Sequence, residues 1–100
     1  MKLEFKKSIC RDNYIRYNCF IEVREIGTTD LILSNCGYIV LEKYENIWNL
    51  ELMYITIQGK GIGTKFLTHV LEKENINVNS LTVSAISDRS RNFFTKMGLL

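Results

Sequence analysis

The sequence predicts an α+β domain, three-layer-like, built on a mixed but mostly antiparallel sheet with two main helices. Three observations carry that class. The first half alternates apolar and polar residues with the two-residue period of strands. A glycine-rich turn at 59–63 then joins one strand to a run of helical spacing. A short β-branched stretch and a second amphipathic run close the chain.

The elements follow in order. In "YIRYNCFIEVREI", Ile15, Tyr17, Cys19, Ile21 and Val23 alternate with Arg16, Asn18, Glu22 and Arg24, which reads as a strand. Gly27 to Asp30 is a turn. "CGYIVLEKYE" reads as the next strand, with a turn near Asn46. "IWNLELMYI" follows, with Leu50 and Leu52 expected on one face and Glu51 and Met53 on the other. After the glycines, Ile62, Phe66, Leu67, Val70 and Leu71 recur at helical spacing. "SLTVSAI" is a short, buried-looking strand. Ser87 or Asp88 can cap a last helix with Phe93, Phe94 and Met97 on its apolar side and Gly98 as its stop.

Composition narrows the classes. One hundred residues, 46% hydrophobic and 24% charged, suit a single domain over 1–100 with a modest core. A net charge of +2 makes no electrostatic case for nucleic acid. "MKLEFKKS" lacks the apolar core of a signal peptide, and no apolar run approaches the ~18 residues of a membrane span, so a cytoplasmic protein is expected. Cys10, Cys19 and Cys36 are odd in number and lack metal-like spacing. They are expected to be reduced thiols packed as small hydrophobes, and no metal is expected.

The glycines carry the chemistry. "ITIQGKGIGTKFL" has Gly59, Gly61 and Gly63 at alternate positions. It fails the P-loop pattern, because Lys60 is followed by Gly61. It also fails the dinucleotide fingerprint, whose third glycine would fall at Thr64. What remains is a turn whose backbone N–H groups, feeding a helix N-terminus, can hold a pyrophosphate.

Gln58-Gly59-Lys60-Gly61-Ile62-Gly63 resembles the Arg/Gln-x-x-Gly-x-Gly/Ala pyrophosphate loop of the GCN5-related N-acetyltransferases. Upstream, "LELM" looks like that family's fourth strand. Downstream, "LTVSAI" looks like its fifth strand and "SDRSRNFFTKMGL" like the helix after it, so the likeness spans about residues 37 to 100. The resemblance implies a sheet with a V-shaped splay, acetyl-coenzyme A as co-substrate, and transfer of the acetyl group to a primary amine. The chain looks like a minimal member, without the usual C-terminal strand pair and with little between its first two strands.

The same resemblance assigns the site. Met53, Ile55, Gln58, Gly59, Lys60, Gly61, Ile62, Gly63, Thr64, Ser87 and Phe94 are expected to hold coenzyme A. Backbone N–H groups near Met53 and Tyr54 would meet the oxyanion. Glu51 is the candidate general base. Phe94 stands where the family has the tyrosine that protonates the leaving thiolate, and Tyr54 is the candidate substitute. Lys65, Arg89 and Arg91 are further phosphate candidates or plain surface charge. His69 reads as a helix-boundary residue and Trp48 as packing. Two functions stay open, an N-acetyltransferase and a binding module without turnover. The acceptor is a protein lysine, a chain N-terminus or a small amine. The fifth strand, as an open edge, predicts a homodimer. No DNA or membrane partner is expected.

Overall fold

The computed structural model describes residues 2–57, 59–84 and 88–99, with only the backbone of Asp88 and Arg89. Gln58 and Ser87, both assigned to the ligand, lie outside the described residues, as does the Arg89 side chain. Strands β1 (Leu3–Arg11), β2 (Tyr14–Arg24), β3 (Leu31–Tyr44) and β4 (Ile47–Ile55) precede helix α1 (Ile62–Lys73). A 3₁₀ turn at Val78–Ser80, strand β5 (Thr82–Val83) and helix α2 (Asp88–Lys96) follow. The chain is thus a mixed α+β structure with a five-stranded sheet in the order β1-β2-β3-β4-β5. Neighbours are antiparallel except β4 and β5, which are parallel.

The hairpins are set by local chemistry. Glu45 and Asn46 between β3 and β4 both have positive φ, 50° and 68°. That is the signature of a type I′ turn, whose twist matches the flanking strands. The β2–β3 connection passes through Gly27 at φ 82°, and Thr28 Oγ1 accepts from the Asp30 N–H at 3.1 Å.

One face of the sheet carries the core. Ile15, Tyr17, Cys19, Ile39, Leu41 and Leu50 meet Ile62, Phe66, Leu67, Val70 and Leu71 of α1 and Phe94 of α2. Each such side chain contributes about 1.5–3 kcal/mol by leaving water. All five apolar positions that helical spacing picks out in α1 are buried. Phe5 of β1 stacks on Phe66 with ring centroids 5.1 Å apart. His69 is half-buried, at the edge of the helix's packed face. Its ring lies 4.9 Å from Phe5 and 6.2 Å from Tyr17.

Both helices end in the same way. The Ile76 N–H reaches the Leu71 carbonyl and the Asn75 N–H reaches Glu72, with Asn75 at φ 56°. At α2, Leu99 reaches Phe94 and Gly98 reaches Thr95, with Gly98 at φ 80°. These paired bonds satisfy the last carbonyls and clip an apolar residue back onto the helix.

A polar staple ties α1 to the first hairpin. The Tyr17 hydroxyl donates to Glu74 Oε2, and Lys7 Nζ lies 2.8 Å from the same oxygen. Burial alone would push the Glu74 carboxyl up, but the hydrogen bonds from Lys7 and Tyr17 outweigh it and hold the group below its ordinary range. Lys7 is raised in turn, chiefly by its hydrogen bond to Glu74.

Three expectations are corrected. Leu50 is buried but Leu52 is 51% exposed, so the two do not share a face. The register passes from Val40↔Leu52 to Leu41↔Leu50, leaving Glu51 as an extra residue in a β-bulge that shifts the alternation by one. The third strand starts at Leu31, not at Cys36. Cys10 is exposed, not packed inside. Cys19 and Cys36 are buried, their sulfurs 3.1 Å apart. Burial, then the hydrogen bond with Cys36, pushes the Cys19 thiol up to about 12, so it stays a neutral thiol.

Candidate functional site

The end of β4, the glycine turn, the start of α1 and one side of α2 enclose a cleft of about 400 Å³. β4 is paired to β3 along its length, but its described pairing with β5 covers only Asn49 and Leu50, with one further bond from the Ser84 N–H to the Leu50 carbonyl. Met53, Tyr54 and Ile55 of β4 line the cleft.

The floor and the turn follow from glycine. Gly59 and Gly61 have φ 75° and 71°, the left-handed region that costs a side-chain-bearing residue about 1–2 kcal/mol. Gly61 is the residue before the first turn of α1, which has no side-chain cap and no acidic residue. The N–H groups there carry the positive end of the helix dipole, and among the described residues of the turn no acidic side chain neutralises it. A Cβ on Gly63 would sit 3.4 Å from Met53 Cε and 3.5 Å from the Phe93 ring. These are ordinary van der Waals distances, so packing alone leaves room for an alanine at Gly63.

Most of the expected ligand residues meet here. Met53, Tyr54, Ile55, Gly59, Gly61, Ile62, Gly63, Thr64 and Phe94 all line the cleft. Lys60, exposed on the turn, is not among its lining residues, and neither is Glu51. Phe94 is 4% exposed, and its ring centroid lies 5.3 Å from that of Phe93. Tyr54 is 55% exposed, with its ring 5.9 Å from that of Tyr38 across the β3–β4 ladder. Arg91 is exposed. Trp48 is half-buried, with Lys43 Nζ 5.5 Å from its ring centre.

Glu51 sits in a different setting. Its Oε1 accepts from Asn49 Nδ2 at 2.9 Å. That Asn49 amide also donates to Ser84 Oγ, and its carbonyl accepts from Thr82 Oγ1 at 2.6 Å. Asn49, 7% exposed, thus joins Glu51 to β5. The Tyr44 phenol is raised above its ordinary value by hydrogen bonding to Glu51 and then Glu42.

Ile57, Ser90 and Phe93 also line the cleft and were missed in the sequence. For Ser90 the signal was present: it lies four residues before Phe94, so once Phe94 faces a site the helix brings Ser90 to the same side.

A larger hollow of about 580 Å³ lies at the other end of α1, near Leu71, Glu72, Asn75 and Met97. It faces the helix C-terminus and a carboxylate, which disfavours phosphate. The smaller cleft at the N-terminus has the polarity an anion requires. No protein-family pattern matches the chain, and no curated protein matches it significantly.

Proposed function

We propose that the chain is an acetyl-coenzyme A-dependent N-acetyltransferase of the GCN5-related type. The observation that carries the reading is the convergence of β4, the glycine turn and the uncapped start of α1 on one cleft, with α2 opposite. The N–H groups of the turn and the first turn of α1 hold the pyrophosphate. The pantetheine arm runs beside Met53–Ile55, in the splay the resemblance implies between β4 and β5. A β4 N–H near Met53 or Tyr54 meets the thioester oxygen as it takes negative charge.

The chemistry is a direct displacement. A neutral amine attacks the thioester carbon, its nitrogen sheds a second proton to water, and the tetrahedral intermediate collapses to the amide with cleavage of the C–S bond. The amine has a solution pKa of about 10.4 and must lose a proton. Glu51 takes it through water, since its carboxylate lies outside the cleft lining. The departing thiolate belongs to a thiol of pKa about 8.5, and so leaves without the proton that Phe94 is unable to give. Tyr54, which lines the cleft, is the candidate to protonate the thiolate after it has left.

A second reading is a module that binds a coenzyme A thioester, or a partner protein, without turnover. Phe94 in place of the family's tyrosine, and the absence of Glu51 from the residues lining the cleft, favour it. Thermal unfolding with and without acetyl-coenzyme A, then thiol release with a panel of amines, separates the two. Both readings of a ligand-binding cleft expect stabilisation by the thioester. Only the enzyme releases thiol in proportion to acceptor.

A further inference from the structure

We propose that the β2–β3 hairpin is a dimerisation arm, in which the edge of β3 at 31–35 pairs with the same segment of a second copy of the chain about a two-fold axis. β1 covers β2 only as far as Leu3↔Ile21, with one further bond from Glu22 to Lys2. β4 covers β3 only as far as Ile55↔Gly37, with Thr56 bonding to the Cys36 carbonyl. Beyond those limits β2 and β3 pair only with each other among the described residues. The overhang lengthens the molecule to 50 Å against 30 and 19 Å across. A two-stranded ribbon is marginal in water by itself. This one also exposes Ile26 (99%), Leu31 (57%), Ile32 (46%) and Leu33 (41%), and the last three alternate between its two faces.

Edge chemistry identifies β3 as the strand that pairs. Sheet edges are usually guarded by charge, proline or shortness. The β1 edge carries Glu4, Lys6, Lys7 and Arg11. "LILSN" at 31–35 has no charge and no proline.

Two features select a second copy as the occupant. An antiparallel pairing centred on Leu33 sets Ile32 against Ser34 and Leu31 against Asn35 of the other copy, so no charge meets its like and the segment complements itself. The arm from 22 to 34 holds Glu22, Glu25 and Asp30 against Arg24, a net −2 in a chain of net +2, which leaves +4 on the body. Paired arms run past one another, and each acidic tip points toward the basic body of its mate.

Sedimentation velocity and amide hydrogen exchange on the full chain test the proposal. The wild type is expected to run as a dimer at micromolar concentration and above, with slow exchange at 31–35. Leu33→Lys places two ammonium groups face to face on the axis and is expected to give a monomer of unchanged circular dichroism, with fast exchange at those amides. Ser34→Glu, which sets a carboxylate against Ile32 of the other copy, serves should Leu33→Lys fail to fold, and Ile47→Lys, away from the arm, keeps the dimer. A wild type that stays monomeric, or that pairs only with a different protein, overturns the proposal. So does a dimer that persists in folded Leu33→Lys or Ser34→Glu.

Discussion

Glu51 is where sequence and geometry pull hardest against each other. The β-bulge makes it an extra residue in β4, and its carboxylate is already engaged by Asn49. If it takes the amine proton through water, Glu51→Gln keeps the shape and removes the acceptor. Binding of the thioester is then expected to persist while kcat falls by about 10²–10⁴. The residual rate is expected to recover at high pH, where more of the amine is neutral. Steady-state kinetics across pH checks this, and an unchanged neutral-pH rate would make the carboxylate structural. Gly37 is the other residue whose identity geometry dictates. A Cβ there would stand 2.3 Å from the Tyr54 carbonyl oxygen, so the close approach of β3 to the end of β4 requires glycine.

At the scale of elements, the staple joining β1, β2 and α1 has a pH signature. Glu74 is lowered in the fold, so its contribution is fully present above its unfolded pKa of about 4.3 and is lost as pH falls through the folded value. Lys7 is raised, so its share is present below the unfolded value and is lost as pH rises through the folded one. Glu74→Gln is expected to cost about 1–2 kcal/mol near neutrality, because the Lys7 side chain is 38% exposed and water screens its half of the pair. Urea unfolding should show the gap between variant and wild type closing in acid and again in strong alkali. A gap that is constant with pH would assign Glu74 a packing role only.

Much of this scale was legible in the sequence. The alternation Ile15, Tyr17, Cys19 and the helical spacing from Ile62 to Leu71 are the buried positions of β2 and α1, because one-sided burial writes its period into the chain. The glycine turn was legible because the left-handed backbone at Gly59 and Gly61 favours glycine. The bulge was not: one inserted residue leaves no composition signal and reverses every later position, which is why Leu52 was placed with Leu50. Nor was the Lys7–Tyr17–Glu74 staple, whose partners are brought together only by the tertiary fold. The β2–β3 overhang depends on where β1 and β4 stop pairing, which no local pattern states.

At the scale of the molecule, the sheet buries one face under α1 and α2 and leaves the other without a helix among the described residues. The overhanging arm is reflected in a radius of gyration of 14.5 Å, above the roughly 13 Å of a compact chain of this length. The cleft lies between the end of β4, the glycine turn and the start of α1. If that cleft holds the pyrophosphate of acetyl-coenzyme A, charge at the turn governs affinity. Gly61 offers the cleanest position, since a Cβ there meets nothing within 4 Å, and Asp and Asn both tolerate its left-handed backbone. Calorimetric titration of acetyl-coenzyme A into the wild type, Gly61→Asn and Gly61→Asp is therefore decisive. A carboxylate about 4 Å from a phosphate charge, at an effective dielectric of ~20, costs about 4 kcal/mol, close to a 10³-fold loss. The wild type and Gly61→Asn are expected to bind and folded Gly61→Asp to lose binding on that scale. Folded Gly61→Asp binding as tightly as the wild type, or a wild type that takes up no acetyl-coenzyme A, would contradict the assignment of this cleft.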